Sequence, residues 1–213
     1  SLYFFTENTA LGITQASNVS FIICTAPLLT TILSLLFYKS EKASKGLIYG
    51  SLLALMGVGL IVFNGSFVLK ISPIGDLLTL LAALSWAFYS LIIKKMAGRY
   101  PTIFITRKIF FYGVLTILPA FLLHPLHPDT AVLLQPAVLF NLLFLAVLAS
   151  LICYVLWNVV LKQLGTVRAS NYIYLNPLVT MIASFLILDE KITLVALGGA
   201  ACIVCGVYWA EKK

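Results

Sequence analysis

Charged residues are scarce in this sequence, and their scarcity excludes a soluble fold. Only 10% of the 213 residues are Asp, Glu, Lys or Arg, whereas soluble domains average about 25%. Hydrophobic residues make up 62% of the chain, and the mean hydropathy is +1.07. The sequence therefore predicts a protein that lies within a lipid bilayer.

The chain also lacks the residue groupings on which metals, cofactors and disulfide frameworks depend. All four cysteines lie in apolar runs, and both histidines lie in one Pro-containing stretch outside those runs. No histidine lies within a span, and no Ser/Lys or Asp/Asp catalytic constellation is evident. The 14 basic residues form short clusters between apolar blocks, a pattern typical of membrane loops. We therefore expect no metal, no cofactor, no catalytic residues and no nucleic-acid partner.

What the sequence does contain is a series of long apolar runs. A membrane-spanning helix needs about 20 mostly apolar residues, and seven windows meet this requirement. A shorter apolar segment over residues 1–13 resembles the end of an eighth helix. The sequence thus predicts an all-α, polytopic membrane helix bundle. The seven windows are 15–38, 46–63, 74–96, 103–123, 137–161, 169–188 and 192–210.

The loop charges predict how this bundle is oriented. Twelve of the 14 basic residues fall in alternate loops, which the positive-inside rule assigns to the cytoplasm. The C-terminus is then cytoplasmic, in what we expect to be a bacterial cytoplasmic membrane. The twelve are Lys39, Lys42, Lys45, Lys94, Lys95, Arg99, Arg107, Lys108, Lys162, Arg168, Lys212 and Lys213.

An internal repeat is the most specific feature of the sequence. Residues 11–18 (LGITQASN) recur as residues 164–171 (LGTVRASN), and the same landmarks follow both copies in the same order. Five membrane crossings separate the two copies. Because five is an odd number, the second copy runs through the membrane in the opposite direction to the first. Inverted repeats are typical of secondary transporters with alternating access. The matched landmarks are Pro27 and Pro177, Glu41 and Glu190, Gly50 and Gly199, and Gly57 and Gly206.

Two further motifs carry a family resemblance. Gly75-Asp76-Leu77-Leu78, then residues 81–89 (LAALSWAFY) and Lys94-Lys95, resemble the opening of an EamA domain of the drug/metabolite transporter superfamily. The repeated Asn, Pro, Glu and Gly pattern is similar to the close of such a domain. The resemblance implies a ten-helix permease. Residues 1–64 would be the C-terminal part of a first, N-terminally truncated repeat, and residues 74–210 a complete second repeat.

The resemblance also implies a function. It implies a permease or exporter that moves amino acids or similar small metabolites, with the lipid bilayer and the substrate as partners. A seven-helix receptor is the alternative, and an intramembrane enzyme is a weaker one. Small-residue stripes favour close helix packing, either within the chain or at a homodimer face. These stripes are Gly46, Gly50 and Ala54 in one helix, and Gly198, Cys202 and Gly206 in another.

Polar residues within the spans are the candidates for a substrate site. Glu7 is the one acid that falls inside a span, and intramembrane acids are usually functional. We interpret it as a candidate for proton coupling, with a water-exposed interfacial carboxylate as the alternative. Asn8 is its neighbour, and Asn158 occupies the matching position of the second repeat, after Trp157. Hydrogen bonds between helices are the alternative role for these amides.

The remaining candidates lie near the repeated prolines or on aromatic faces. Asn18 and Asn171 fall in the first turns of matching helices, where they line a cavity or cap backbone N–H groups. Trp86 and Tyr89 share one helix face, as do Asn171 and Tyr174, although single aromatics also pack against lipid. Pro27 and Pro177 predict local helix breaks, and Asn176 precedes the second proline.

Overall fold

The computed structural model describes residues 2–38, 44–63, 72–123, 130–188 and 192–212. Within these ranges the chain is helical and contains no β-strand, because hydrophobic spans must satisfy their backbone groups internally. The matched residues Glu41 and Glu190 lie outside the described residues.

The described residues form twelve α-helices. A π-helical segment over Phe144–Ile152 joins α8 to α9, and a 3-10 segment over Tyr172–Leu175 joins α10 to α11. The helices are α1 (Leu2–Leu11), α2 (Ala16–Ile23), α3 (Ala26–Phe37), α4 (Lys45–Phe63), α5 (Pro73–Ala97), α6 (Thr102–Leu123), α7 (Thr130–Leu133), α8 (Pro136–Leu143), α9 (Cys153–Leu164), α10 (Thr166–Asn171), α11 (Asn176–Leu188) and α12 (Leu194–Glu211).

The described chain contains seven helical stretches that are long and apolar enough to cross a membrane. They match the seven predicted windows within a few residues, which confirms the prediction of an all-α polytopic bundle. Three of the stretches combine consecutive helices. The stretches are Ala16–Phe37, Lys45–Phe63, Pro73–Ala97, Thr102–Pro119, Pro136–Leu164, Thr166–Ile187 and Leu194–Glu211.

Local side-chain chemistry sets where several helices begin. Helix α5 opens with Pro73, and the carboxylate of Asp76 accepts a 3.1 Å hydrogen bond from the backbone N–H of Ser72. An acid at this end also complements the helix dipole. Helix α12 opens after Thr193, whose hydroxyl accepts a 3.1 Å hydrogen bond from the N–H of Ala196. These contacts satisfy N–H groups that have no partner within the helix.

The chain divides into two compact units. One unit comprises Ile93–Leu164, and the other comprises Leu2–Ile92 together with Gly165–Lys213. The second unit thus contains both copies of the repeated segment. Its apolar core is built from one cluster that joins residues of both copies: Cys24, Ala54, Val58, Tyr174, Ile203 and Val207.

Helices α4 and α12 form the closest contact in the second unit. A methyl group at Gly57 would lie 2.5 Å from the carbonyl oxygen of Gly199, and one at Gly206 would lie 2.5 Å from that of Gly50. Moving seven residues forward on α4 therefore means moving seven backward on α12, so the two helices run antiparallel. Only glycine permits this approach of two backbones. The small-residue stripes thus meet inside the chain, except that Gly198 faces open space.

The Ile93–Leu164 unit is held together by contacts between α6 and α9. The rings of Phe110 and Tyr154 pack edge to face with centroids 5.6 Å apart. Side chains of the π-helical segment are almost all exposed, as expected for a surface that faces lipid.

Replacing Gly57 by Ala is expected to destabilise the chain, because the new methyl group would push α12 away. Overpacking of this kind costs about 1–3 kcal/mol. Gly198→Ala is the matched control, since nothing lies within 4 Å of its new methyl group. The measurement is the thermal unfolding midpoint in detergent, which should fall only for Gly57→Ala. Equal midpoints for the two variants would contradict the close α4–α12 contact.

Candidate functional site

Two of the membrane-spanning stretches are interrupted near their middle. In the first, α2 ends at Ile23, a turn follows, and α3 begins at Ala26 with Pro27 as its second residue. In the second, α10 ends at Asn171 and α11 begins at Asn176, with Pro177 as its second residue. Proline suits the first turn of a helix, where its missing N–H has no partner to lose. The breaks thus lie just before the two prolines.

Buried polar side chains gather around these breaks. Asn18, Ser51, Asn171 and Tyr174 are each no more than 2% exposed. The Ser51 hydroxyl of α4 lies 3.5 Å from the side-chain oxygen of Asn171, to which it donates a long hydrogen bond. Helix α4 of the first copy is thereby linked to α10 of the second. The N-cap residues of α2 and α10 are Gln15 and Gly165, and no side-chain cap hydrogen bond forms at either position.

Some polar atoms near the breaks have no hydrogen-bond partner among the described residues. They include the amide nitrogen of Asn171 and the hydroxyls of Ser170 and Thr30, all in fully buried side chains. A buried polar group without a partner costs free energy, so such groups call for a water molecule, a ligand or a different conformation. This is the chemistry expected of a site for a polar solute.

Glu7 stands in a second polar group of the same unit. The phenol of Tyr3, one helical turn earlier, donates a 3.0 Å hydrogen bond to the Glu7 carboxylate. The Tyr3 ring lies 5.3 Å from Trp86, and Trp86 lies 5.4 Å from Tyr89, measured between ring centroids. The structure thus brings three of the predicted residues together through Tyr3. We call Tyr3, Glu7, Trp86 and Tyr89 the aromatic–carboxylate cluster.

Asn158 makes its own contact in the Ile93–Leu164 unit. Its side chain is 1% exposed, and its amide donates a 3.0 Å hydrogen bond to the Thr106 hydroxyl. That hydroxyl in turn donates to the carbonyl oxygen of Thr102 at 3.0 Å. Trp157 is half-buried beside it on α9. The bond links α9 to α6, and it is of the kind that the sequence analysis gave as the alternative role for this amide.

Two predicted residues have exposed side chains. Asn8 is exposed, and its amide donates to the carbonyl oxygen of Phe4 within α1 at 2.8 Å. Asn176 is exposed at the start of α11. Sequence reasoning missed Tyr3, Ser51 and Thr106 as partners of the polar residues. Only Tyr3 carried a signal, because it stands four residues before Glu7 and so on the same helix face.

Apolar spans, two interrupted helices and buried polar groups at the breaks together define a polytopic membrane protein. Residues 73–210 match the EamA-like transporter family. The chain belongs to this family, which confirms the resemblance seen in the sequence, and it is a membrane transporter rather than an enzyme.

Individual relatives agree with this assignment. An "Uncharacterized transporter" of Archaeoglobus fulgidus is 30% identical over 96% of this chain and 70% of its own length. A "Probable amino-acid metabolite efflux pump" of Salmonella typhimurium is 29% identical over 81% of this chain and 60% of its own length. One solved crystal structure has a TM-score of 0.84 at 18% identity and covers 98% of this chain, while this chain covers 71% of it. That likeness concerns the fold alone.

The Asn158–Thr106 bond is expected to stabilise the contact between α9 and α6. A double-mutant cycle with Asn158→Ala and Thr106→Val should give a coupling free energy of about 0.6–1.7 kcal/mol, the range for such bonds in membranes. Unfolding in detergent mixtures provides the free energies. Thr116→Val is the matched control on α6, because the Thr116 hydroxyl bonds to Tyr112 in its own helix. Zero coupling for the first pair would contradict the observed bond.

Proposed function

We propose that this protein moves amino acids or similar small metabolites across the cytoplasmic membrane by alternating access. The Salmonella typhimurium relative, named a probable amino-acid metabolite efflux pump, supports amino-acid metabolites as the substrate class. The buried amides and hydroxyls at the two helix breaks support a polar substrate, because each offers a hydrogen bond in a medium that otherwise supplies none.

The observation that carries the proposal is the reciprocal contact between α4 and α12. Gly50 pairs with Gly206, and Gly57 pairs with Gly199. The sequence repeat matches Gly50 to Gly199 and Gly57 to Gly206, so exchanging the two copies turns one contact into the other. Contacts that interchange in this way are those of a twofold axis. This supports inverted repeats, with residues 1–64 closing the first and residues 74–210 forming the second.

Alternating access needs two elements that change while a common support stays in place. The interrupted stretches are suited to change, because a broken helix bends at few backbone hydrogen bonds. The α4–α12 contact is suited to stay fixed. The two backbones are so close that sliding one helix along the other would bring side chains into collision. Asn18, Asn171 and Tyr174 then line the route beside Pro27 and Pro177, and Glu7 is the proposed proton-coupling carboxylate.

Orientation and assembly are part of the proposal. The alternation of loop charge supports a cytoplasmic C-terminus. A homodimer would have to use surfaces other than Gly50, Gly57, Gly199 and Gly206, since these are occupied within the chain.

The protein in lipid vesicles is expected to carry a radiolabelled substrate drawn from a panel of amino acids, nucleosides and cationic drugs. Unlabelled substrate inside the vesicles should accelerate uptake of the labelled compound, because alternating access exchanges one molecule for another. Empty vesicles are the control. Uptake that is insensitive to internal substrate would contradict alternating access, and binding without uptake would favour the receptor alternative.

Glu7→Gln is expected to abolish uptake driven by a pH gradient, while exchange continues between equal substrate pools at saturating concentration. The amide keeps an acceptor for Tyr3 but binds no proton. Glu211→Gln, the same substitution in α12, is the control. The measurement is uptake into vesicles with and without an imposed pH gradient. Unchanged gradient dependence in Glu7→Gln would remove this residue from the coupling role.

A further inference from the structure

The aromatic–carboxylate cluster contains a carboxylate that no lysine or arginine balances in the part of the chain that the structure describes. Across the described residues, Glu7 has one hydrogen-bond partner, the Tyr3 phenol, and no lysine or arginine forms an ion pair with it. Placing an unpaired charge in a bilayer costs at least about 2.5–3.5 kcal/mol. A phenol stabilises a carboxylate but adds no positive charge. Since no described lysine or arginine supplies the counter-charge, a proton or a larger cationic ligand is suited to do so.

The surroundings of Glu7 indicate that a larger cation binds there in turn with the coupling proton. A proton needs only the carboxylate and has no use for ring faces. Here three rings stand in a row that begins at the hydrogen bond to Glu7, with centroid spacings of 5.3 and 5.4 Å. The neighbouring planes are tilted by 51° and 41°, so the rings do not cover each other's faces by stacking.

Ring faces of this kind attract organic cations. An ammonium group within about 6 Å of a Trp or Tyr centroid is stabilised by the negative face of the ring, most strongly where water is excluded. Trp86 and Tyr89 are half-buried, so part of each ring remains accessible. Trp offers the strongest such face, and Trp86 is the middle ring of the row.

Within the proposed transport function, on which this step rests, we infer that the aromatic–carboxylate cluster binds the ammonium group of the substrate. Glu7 neutralises the charge, and Trp86 and Tyr89 cover the alkyl ammonium head. Tyr3 holds the carboxylate through its phenol. The substrate class is thereby narrowed to primary amines and zwitterions that carry one, whereas nucleosides and anionic metabolites fall outside it.

The test is equilibrium binding to the purified full chain in lipid nanodiscs, followed by calorimetry. The probes are phenethylamine, which is a cation, and 2-phenylethanol, which has the same size and no charge. Phenethylamine should bind about tenfold or more tightly than 2-phenylethanol, a difference equivalent to about 1.4 kcal/mol. Equal affinities would show that the cluster is an apolar surface only and would overturn the inference.

Variants assign the effect to the cluster. Glu7→Gln and Trp86→Ala should each weaken phenethylamine binding about tenfold, while Tyr3→Phe keeps the ring and should weaken it less. Glu211→Gln is the matched control and should bind as the unaltered chain does. Thermal unfolding midpoints establish that each variant is folded. Trp86→Phe, which retains a ring face, should restore part of the affinity lost in Trp86→Ala.

The outcomes separate this inference from the transport proposal. If amine binding is unchanged in Glu7→Gln and substrate flux in vesicles is intact, the ammonium site is overturned. The transport proposal then remains, with a proton as the ligand of Glu7. Amine binding that depends on Glu7, without any flux in vesicles, supports the site and overturns alternating access.

Discussion

The backbone contact between α4 and α12 is the constraint on which the rest of the structure depends. A bilayer offers no hydrophobic force that drives helices together, since lipid is as apolar as the helix surfaces. Association must come from close packing, and Gly57 and Gly199 provide it by having no side chains at the point of approach. The same contact brings the two copies of the repeat into one unit, so the core residues Cys24 and Tyr174 from different copies pack in one cluster.

The polar groups follow from this arrangement. Once α4 is fixed against α12, Ser51 faces the break that precedes Pro177, and its hydroxyl reaches Asn171. Buried amides and hydroxyls in a membrane are costly unless paired, which ties their presence to a solute or water that pairs with them. The same cost applies to the Glu7 carboxylate, which carries a full charge, and the Tyr3 phenol offsets part of it by donating a hydrogen bond. Among the described residues, buried polar groups thus gather where helices are broken and where aromatic rings border an acid, while the Asn158–Thr106 bond joins α9 to α6.

Much of the fold could be predicted from the sequence because spanning helices are long and uniformly apolar. The window over residues 46–63 anticipates Lys45–Phe63 within one residue. The break before Pro177 was also predictable, since proline cannot continue a helix without losing a backbone bond. The partners of polar residues were not predictable. Asn158 and Thr106 are 52 residues apart, so their positions in the sequence do not indicate a contact. That contact depends on how α6 and α9 pack together.

The antiparallel run of α4 beside α12 has an electrical consequence. The start of α4 lies against the end of α12, where a methyl group at Gly46 would be 2.9 Å from the carbonyl oxygen of Trp209. The partial positive charge of one helix end is set beside the partial negative charge of the other. Each end of the pair is therefore close to electrically neutral, so the pair has no preferred direction in the transmembrane field. Orientation is left to the lysines and arginines of the loops.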